Sequence, residues 1–186
     1  MNAANLVSVS RILMVPVILI VYYSSWRWGH LMAAAIFAIA SLTDWLDGYL
    51  ARRLNQTSAF GAFLDPVADK LLVVMTLVLL TANFPTPWFV LPVALIIARE
   101  VFVSALREWM ASCNQRDLVK VGYMGKVKTT VQMITIIILL AVDLRTPLII
   151  IYIGYALIYL SAIFSLWSMA GYLKSALPIL RSNQSR

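Results

Sequence analysis

Four aspartates stand close together in the chain: Asp44, Asp47, Asp65 and Asp69. Asp44 and Asp47 are three residues apart, so on a helix they share a face. Gly61, Asp65 and Asp69 are each four apart and share a face as well. Two like unit charges about 4 Å apart repel by about 4 kcal/mol at an effective dielectric of 20. Four such groups do not stay ionised together unless cations join them. An all-carboxylate set suits hard divalent ions, Mg²⁺ or Mn²⁺. Gly48, Ala51 and Gly61 leave room beside the acids for a ligand to approach the backbone. Arg52 adds a guanidinium able to grip phosphate oxygens in bidentate fashion. Metals, an arginine and free space beside carboxylates point to phosphate chemistry.

Taken singly, these residues have plainer explanations. Asp65 precedes Pro66, and Asp-Pro can open a helix as cap and first residue. Arg52 and Arg53 read as anchors beside a membrane segment. Asp44 and Asp47 alone could belong to the proton path of a transporter. The complete set of spacings favours the metal reading. Cys113 is the one cysteine, so no intrachain disulfide and no cysteine-rich zinc site can form. His30, the one histidine, reads as an interface residue rather than a ligand.

The elements that must hold the acids are membrane helices. The chain has 186 residues, 62% of them hydrophobic and 12% charged, with mean hydropathy +0.86. That apolar share exceeds what a soluble domain of this size carries. Apolar runs long enough to span a bilayer occur at roughly 6–24, 30–52, 62–82, 86–109, 124–143 and 147–173. The expected fold is therefore an all-α integral membrane protein, one domain over residues 1–186, with no internal repeat. Residues 1–10 hold no Lys or Arg, and no cleavage pattern follows Tyr23, so the first run reads as a retained helix. Alternating the six runs puts every Lys and Arg except Arg27 and Arg145 on one side. That side is expected to be cytoplasmic, with both termini on it. The net charge of +7 is thus a matter of topology, and nucleic acid is not an expected partner. Trp26, Trp28 and Trp88 fall at the outer ends of helices, as interfacial anchors do. Asp44 lies eight residues, about 12 Å along a helix, from Arg52 and so inside the hydrocarbon boundary. A carboxylate held there is expected to have a function.

The acidic spacing D-x2-D-G-x2-A-R-x8-G-x3-D-x3-D, from Asp44 to Asp69, resembles the signature of the CDP-alcohol phosphatidyltransferases. Eight specified residues match with no departure. The stretches Asn5 to Arg11, Ile97 to Trp109 and Gly125 to Thr130 are similar to the bacterial branch that makes phosphatidylglycerophosphate. The opening Met1-Asn2-Ala3-Ala4 departs from the Ile-Pro type common in that branch. The resemblance implies six membrane helices around a polar cavity open to the cytoplasm, usually in a homodimer. It implies two metal ions on Asp44, Asp47, Asp65 and Asp69, with Asp69 as general base. It places Gly48, Ala51, Arg52, Ser58, Gly61, Asn5 and Ser8 near the CDP-diacylglycerol nucleotide.

The expected reaction moves a phosphatidyl group from CDP-diacylglycerol to sn-glycerol 3-phosphate, in anionic phospholipid synthesis at the bacterial cytoplasmic membrane. With no cysteine or histidine placed as nucleophile, direct displacement by the acceptor hydroxyl is expected, releasing CMP. The acceptor phosphate needs cations. Arg99 and Arg107, eight apart on one helix, and Lys126 and Lys128, opening the next, are the candidates. Internal charge pairs with Glu100 and Glu108 are the competing account of those arginines. Sister transferases using inositol phosphate, serine or phosphatidylglycerol share the acidic motif. A cation or proton transporter is the alternative of a different class, disfavoured because the acids gather at one side.

Overall fold

In the computed structural model, residues 3–54, 59–112 and 123–183 are described. Within them, the side chains of 3–8, 44–54, 59–66, 123, 124, 126, 175 and 178–183 are outside the described set. The elements are α1 Ala3–Tyr22, α2 Gly29–Leu54, α3 Ala59–Asn83, α4 Pro87–Ser112, α5 Tyr123–Leu140 and α6 Leu148–Asn183. The described residues contain no strand. An apolar medium explains this choice, because a helix satisfies its own backbone donors and acceptors. Pro16 in α1 and Pro92 in α4 sit inside helices, as membrane helices tolerate.

The helices end where local chemistry stops them. Gly29 opens α2 because space there is closed: an added Cβ would meet the Val21 carbonyl oxygen at 2.7 Å. Thr86 and Pro87 open α4, with the Thr86 carbonyl accepting from the amides of Phe89 and Val90 at 2.9 Å each. Pro87 occupies the first helical position, where its missing N–H costs nothing. Between α5 and α6, Asp143 Oδ1 accepts from the Arg145 amide at 2.8 Å and the Thr146 hydroxyl at 2.9 Å. These bonds hold the exposed Asp143 carboxyl below its usual pKa.

Two compact units can be distinguished. The first comprises Met1–Pro85 and Met133–Gly154. In it α1 packs against both α2 and α3, over a core that includes Ile18, Phe37, Leu77, Leu80, Ile136 and Leu139. The second comprises Thr86–Gln132 and Tyr155–Arg186. Phe89, Val93, Ile96, Val103, Met110 and Ile158 are buried there. Large apolar residues such as Ile20, Leu42, Leu91, Ile163 and Trp167 remain exposed. An outward apolar surface of this kind suits lipid rather than water.

By length and composition, α4 and the Leu148–Lys174 portion of α6 can cross a membrane. Shorter apolar stretches occupy Val9–Tyr22, Gly29–Thr43 and Val127–Leu140. One end differs from the sequence reading, and one alternative it left open is resolved. The last helix continues past Lys174 to Asn183, because helical hydrogen bonding needs no apolar environment once begun. The Asp65–Pro66 pair does not open a helix: α3 begins at Ala59 and runs through both residues. Asp65 therefore is not an N-cap.

Candidate active site

The first candidate site lies at the end of α2 and the start of α3. Asp44 and Asp47 fall within α2, and Gly61, Asp65 and Asp69 fall within α3. Both runs are helical throughout, so each acidic set keeps the shared face that its spacing predicts. The side chains of Asp44, Asp47, Gly48, Ala51, Arg52, Gly61 and Asp65 lie outside the described residues, as does all of Ser58. Asn5 and Ser8 have described backbone in α1 but no described side chains. Among the described residues alone, no group of three His, Cys, Asp or Glu is placed to hold a metal ion.

Asp69 is the aspartate whose side chain is described, and it has a partner the sequence reading did not assign. Arg11 on α1 donates from its guanidinium to Asp69 Oδ1. The arginine side chain is 4% exposed and the carboxylate 43%. A buried guanidinium needs a counter-charge, and Asp69 supplies it. The contact also follows from the packing of α1 on α3. The sequence signal for Arg11 was its place at the end of the Asn5 to Arg11 stretch. Its burial is not legible there, because charge placement alone gives it only a side of the membrane.

The second unit gathers a polar cluster from α4, α5 and α6. Arg99 is 7% exposed and Lys128 1%. Glu100 accepts from Lys128 Nζ and from Arg99 at 3.2 Å. Arg99 Nε donates to the Ser165 carbonyl at 3.2 Å, and its other terminal nitrogen to Ser168 Oγ at 2.5 Å. Arg107 donates to the Tyr172 hydroxyl at 2.7 Å. Both guanidiniums also lie near the Tyr172 ring, at 5.0 Å for Arg107 and 5.9 Å for Arg99. The pairing of Arg99 with Glu100, the competing account of that arginine, is therefore present within α4, and Lys128 joins it from α5. Glu108 is exposed, and Lys126 has no described side chain.

Arg99 and Lys128 thus meet at the Glu100 carboxylate, and Arg107 is joined to Arg99 through the Tyr172 ring. Among these described groups the cations outnumber the Glu100 carboxylate, an excess of positive charge that suits a phosphate. The sequence reading missed α6 as a contributor. A signal existed: Ser161, Ser165, Ser168 and Tyr172 recur at spacings of four, three and four in the uncharged apolar run 147–173. That period lays one polar stripe along the helix.

The turns at the other end of the first unit also meet. Arg27, Trp28 and His30 line one cavity of about 330 Å³ with Asp143, Arg145 and Thr146. His30 Nδ1 contacts the Val142 carbonyl at 2.5 Å, and its ring stacks on Tyr22 at 4.5 Å. These contacts give His30 a packing role within the first unit. The α1–α2 and α5–α6 turns hold Arg27 and Arg145, the two cations that charge counting sets apart from all the others.

Comparison with known proteins agrees with the acidic spacing. Residues 1–167 match the CDP-alcohol phosphatidyltransferase family. A relative from Salmonella choleraesuis (strain SC-B67) is named CDP-diacylglycerol–glycerol-3-phosphate 3-phosphatidyltransferase. It is 46% identical over 175 residues, which cover 94% of this chain and 94% of the relative. Relatives of the same name from Shigella flexneri and Escherichia coli (strain K12) give the same identity and coverage. With the acids in helical register on α2 and α3, and the match running through five of the six helices into α6, the chain belongs to the CDP-alcohol phosphatidyltransferase family.

Proposed function

We propose that the chain transfers the phosphatidyl group of CDP-diacylglycerol to sn-glycerol 3-phosphate, giving phosphatidylglycerophosphate and CMP. The observation that carries this reading is 46% identity, over 94% of both chains, to relatives named for that reaction. The residue chemistry agrees with it. The cations of the second unit suit an acceptor that carries its own phosphate, and so favour glycerol 3-phosphate over serine.

Asp44, Asp47, Asp65 and Asp69 would hold two divalent ions, Mg²⁺ or Mn²⁺. Their donor chemistry fits, since all four are carboxylates and hard ions prefer oxygen. Bound metal would neutralise the diphosphate and stabilise the departing CMP. Asp69 takes the proton of the acceptor hydroxyl as that oxygen attacks the phosphorus bearing diacylglycerol. Arg11 holds the Asp69 carboxylate in place. Gly48, Ala51, Arg52, Ser58 and Gly61, with Asn5 and Ser8, would line the CDP moiety. Arg99, Arg107, Lys126 and Lys128 would receive the acceptor phosphate.

In this reading the single domain sits in the bacterial cytoplasmic membrane with six spanning helices, around a polar cavity open to the cytoplasm. The termini and active site face the cytoplasm, and the enzyme works as a homodimer. Purified protein in detergent, given CDP-diacylglycerol, Mg²⁺ and labelled glycerol 3-phosphate, tests the reaction. Label should enter the lipid phase, and a chelator should stop it until Mg²⁺ is restored. CMP release only with inositol phosphate, serine or phosphatidylglycerol would overturn the acceptor while keeping the chemistry.

A further inference from the structure

We infer that Tyr172 of α6 is a positioning residue for the acceptor, aligning Arg99 and Arg107 so that both can face one phosphate. The inference rests on the proposed role of those arginines in binding the acceptor phosphate. Along α4 the two residues are eight apart, so their Cα atoms are separated by about 12 Å. Two flexible side chains can span that distance, but holding both on one small anion costs side-chain entropy unless they are already aligned. Tyr172 supplies a common reference. Its hydroxyl accepts from Arg107 at 2.7 Å. Its ring lies 5.0 Å from the Arg107 guanidinium carbon and 5.9 Å from that of Arg99. A ring face attracts a guanidinium and orients its plane without consuming its hydrogen-bond donors.

The tyrosine is itself fixed. It is 8% exposed and packs with Val103, Leu106, Met110 and Ala176, with Trp109 and Met169 alongside. One turn earlier on the same face, Ser168 Oγ and the Ser165 carbonyl hold Arg99. The polar stripe of α6 therefore carries both guanidiniums of α4. Neither arginine is fully occupied by these bonds. A guanidinium has five N–H donors. Three nitrogens of Arg99 each have one protein acceptor, and one terminal nitrogen of Arg107 is used by Tyr172. Donors remain on both for an incoming anion.

The test is a kinetic double-mutant cycle on the full chain in detergent, with CDP-diacylglycerol and labelled glycerol 3-phosphate each varied. Tyr172→Phe keeps the packed ring and deletes the bond to Arg107. It should raise the KM for glycerol 3-phosphate about tenfold, the effect of one hydrogen bond to a charged group. The kcat and the KM for CDP-diacylglycerol should stay within about twofold. Because Tyr172 acts through Arg107, adding Tyr172→Phe to Arg107→Ala should bring little further change. Additive effects would overturn the inference. So would parallel changes in both KM values with a lowered melting midpoint, which mark general loosening. If Arg107→Ala raises the acceptor KM and Tyr172→Phe does not, this inference fails alone. If neither Arg99→Ala nor Arg107→Ala alters the acceptor KM, the phosphate-site reading fails and this one with it.

Discussion

Arg11 and Asp69 form the contact that most alters how the acidic cluster is understood. A buried arginine on α1 holds a carboxylate on α3, at the last position of the acidic motif. In the proposed mechanism, loss of that guanidinium would remove the ion pair that helps to orient the Asp69 carboxylate toward the acceptor hydroxyl. Arg11→Ala is therefore expected to lower kcat by about 10- to 100-fold, while Asp69→Asn should lower it by about 100- to 10,000-fold. Both should leave the acceptor KM nearly unchanged, a split that initial-rate kinetics can read. In the proposed reading Arg99 serves the other substrate. Arg99→Ala should raise the KM for glycerol 3-phosphate about tenfold or more and leave that for CDP-diacylglycerol alone. Equal effects on both substrates would count against it. The identities of these residues were legible in sequence, since carboxylates at helical spacing imply their own chemistry. Their partners were not. Arg11 meets Asp69 across 58 residues, and Arg107 meets Tyr172 across 65.

The helices explain why spacing was so informative. A fixed rise and turn per residue convert intervals of three and four into a shared face, and α2 and α3 are regular through both acidic sets. Asp65–Pro66 shows where local rules fail. The dipeptide has the chemistry of a helix start, yet the helix begins six residues earlier and passes through it. Packing between helices sets other limits. At Gly154 an added Cβ would lie 3.0 Å from Leu139 Cγ and closer still to one of its methyls. Leu139 is fully buried, so any shift it makes displaces its packed neighbours. Gly154→Ala should thus cost about 1–3 kcal/mol through overpacking of α5 against α6. A lowered melting midpoint in detergent, with both KM values retained, is the expected result. An unchanged midpoint would mean that the helices can part without cost.

For the whole molecule, the distribution of charge is the main guide to orientation. The two cations set apart by charge counting line one cavity at the α1–α2 and α5–α6 turns. Their meeting fits turns that share one side of the membrane. A reporter active only outside the cytoplasm should therefore work when fused after Leu144 and fail when fused after Ser112. The reverse pattern would invert the proposed topology. The proposed orientation would leave the acidic ends of α2 and α3 in reach of soluble glycerol 3-phosphate and metal ions from the cytoplasm.

The sequence by itself determined the all-helical character, the six segments to within a few residues at most ends, and the acidic motif with its phosphate chemistry. Each depends on local composition or on spacing along one helix, which the period of the helix translates directly into a face. Only the tertiary structure decided that Arg11 is a buried partner of Asp69, that Lys128 and Arg99 share Glu100, and that α6 joins the basic cluster through Ser168 and Tyr172. These contacts join different helices. Which faces meet depends on how side chains fill the space between helices, and no interval within a single segment encodes that.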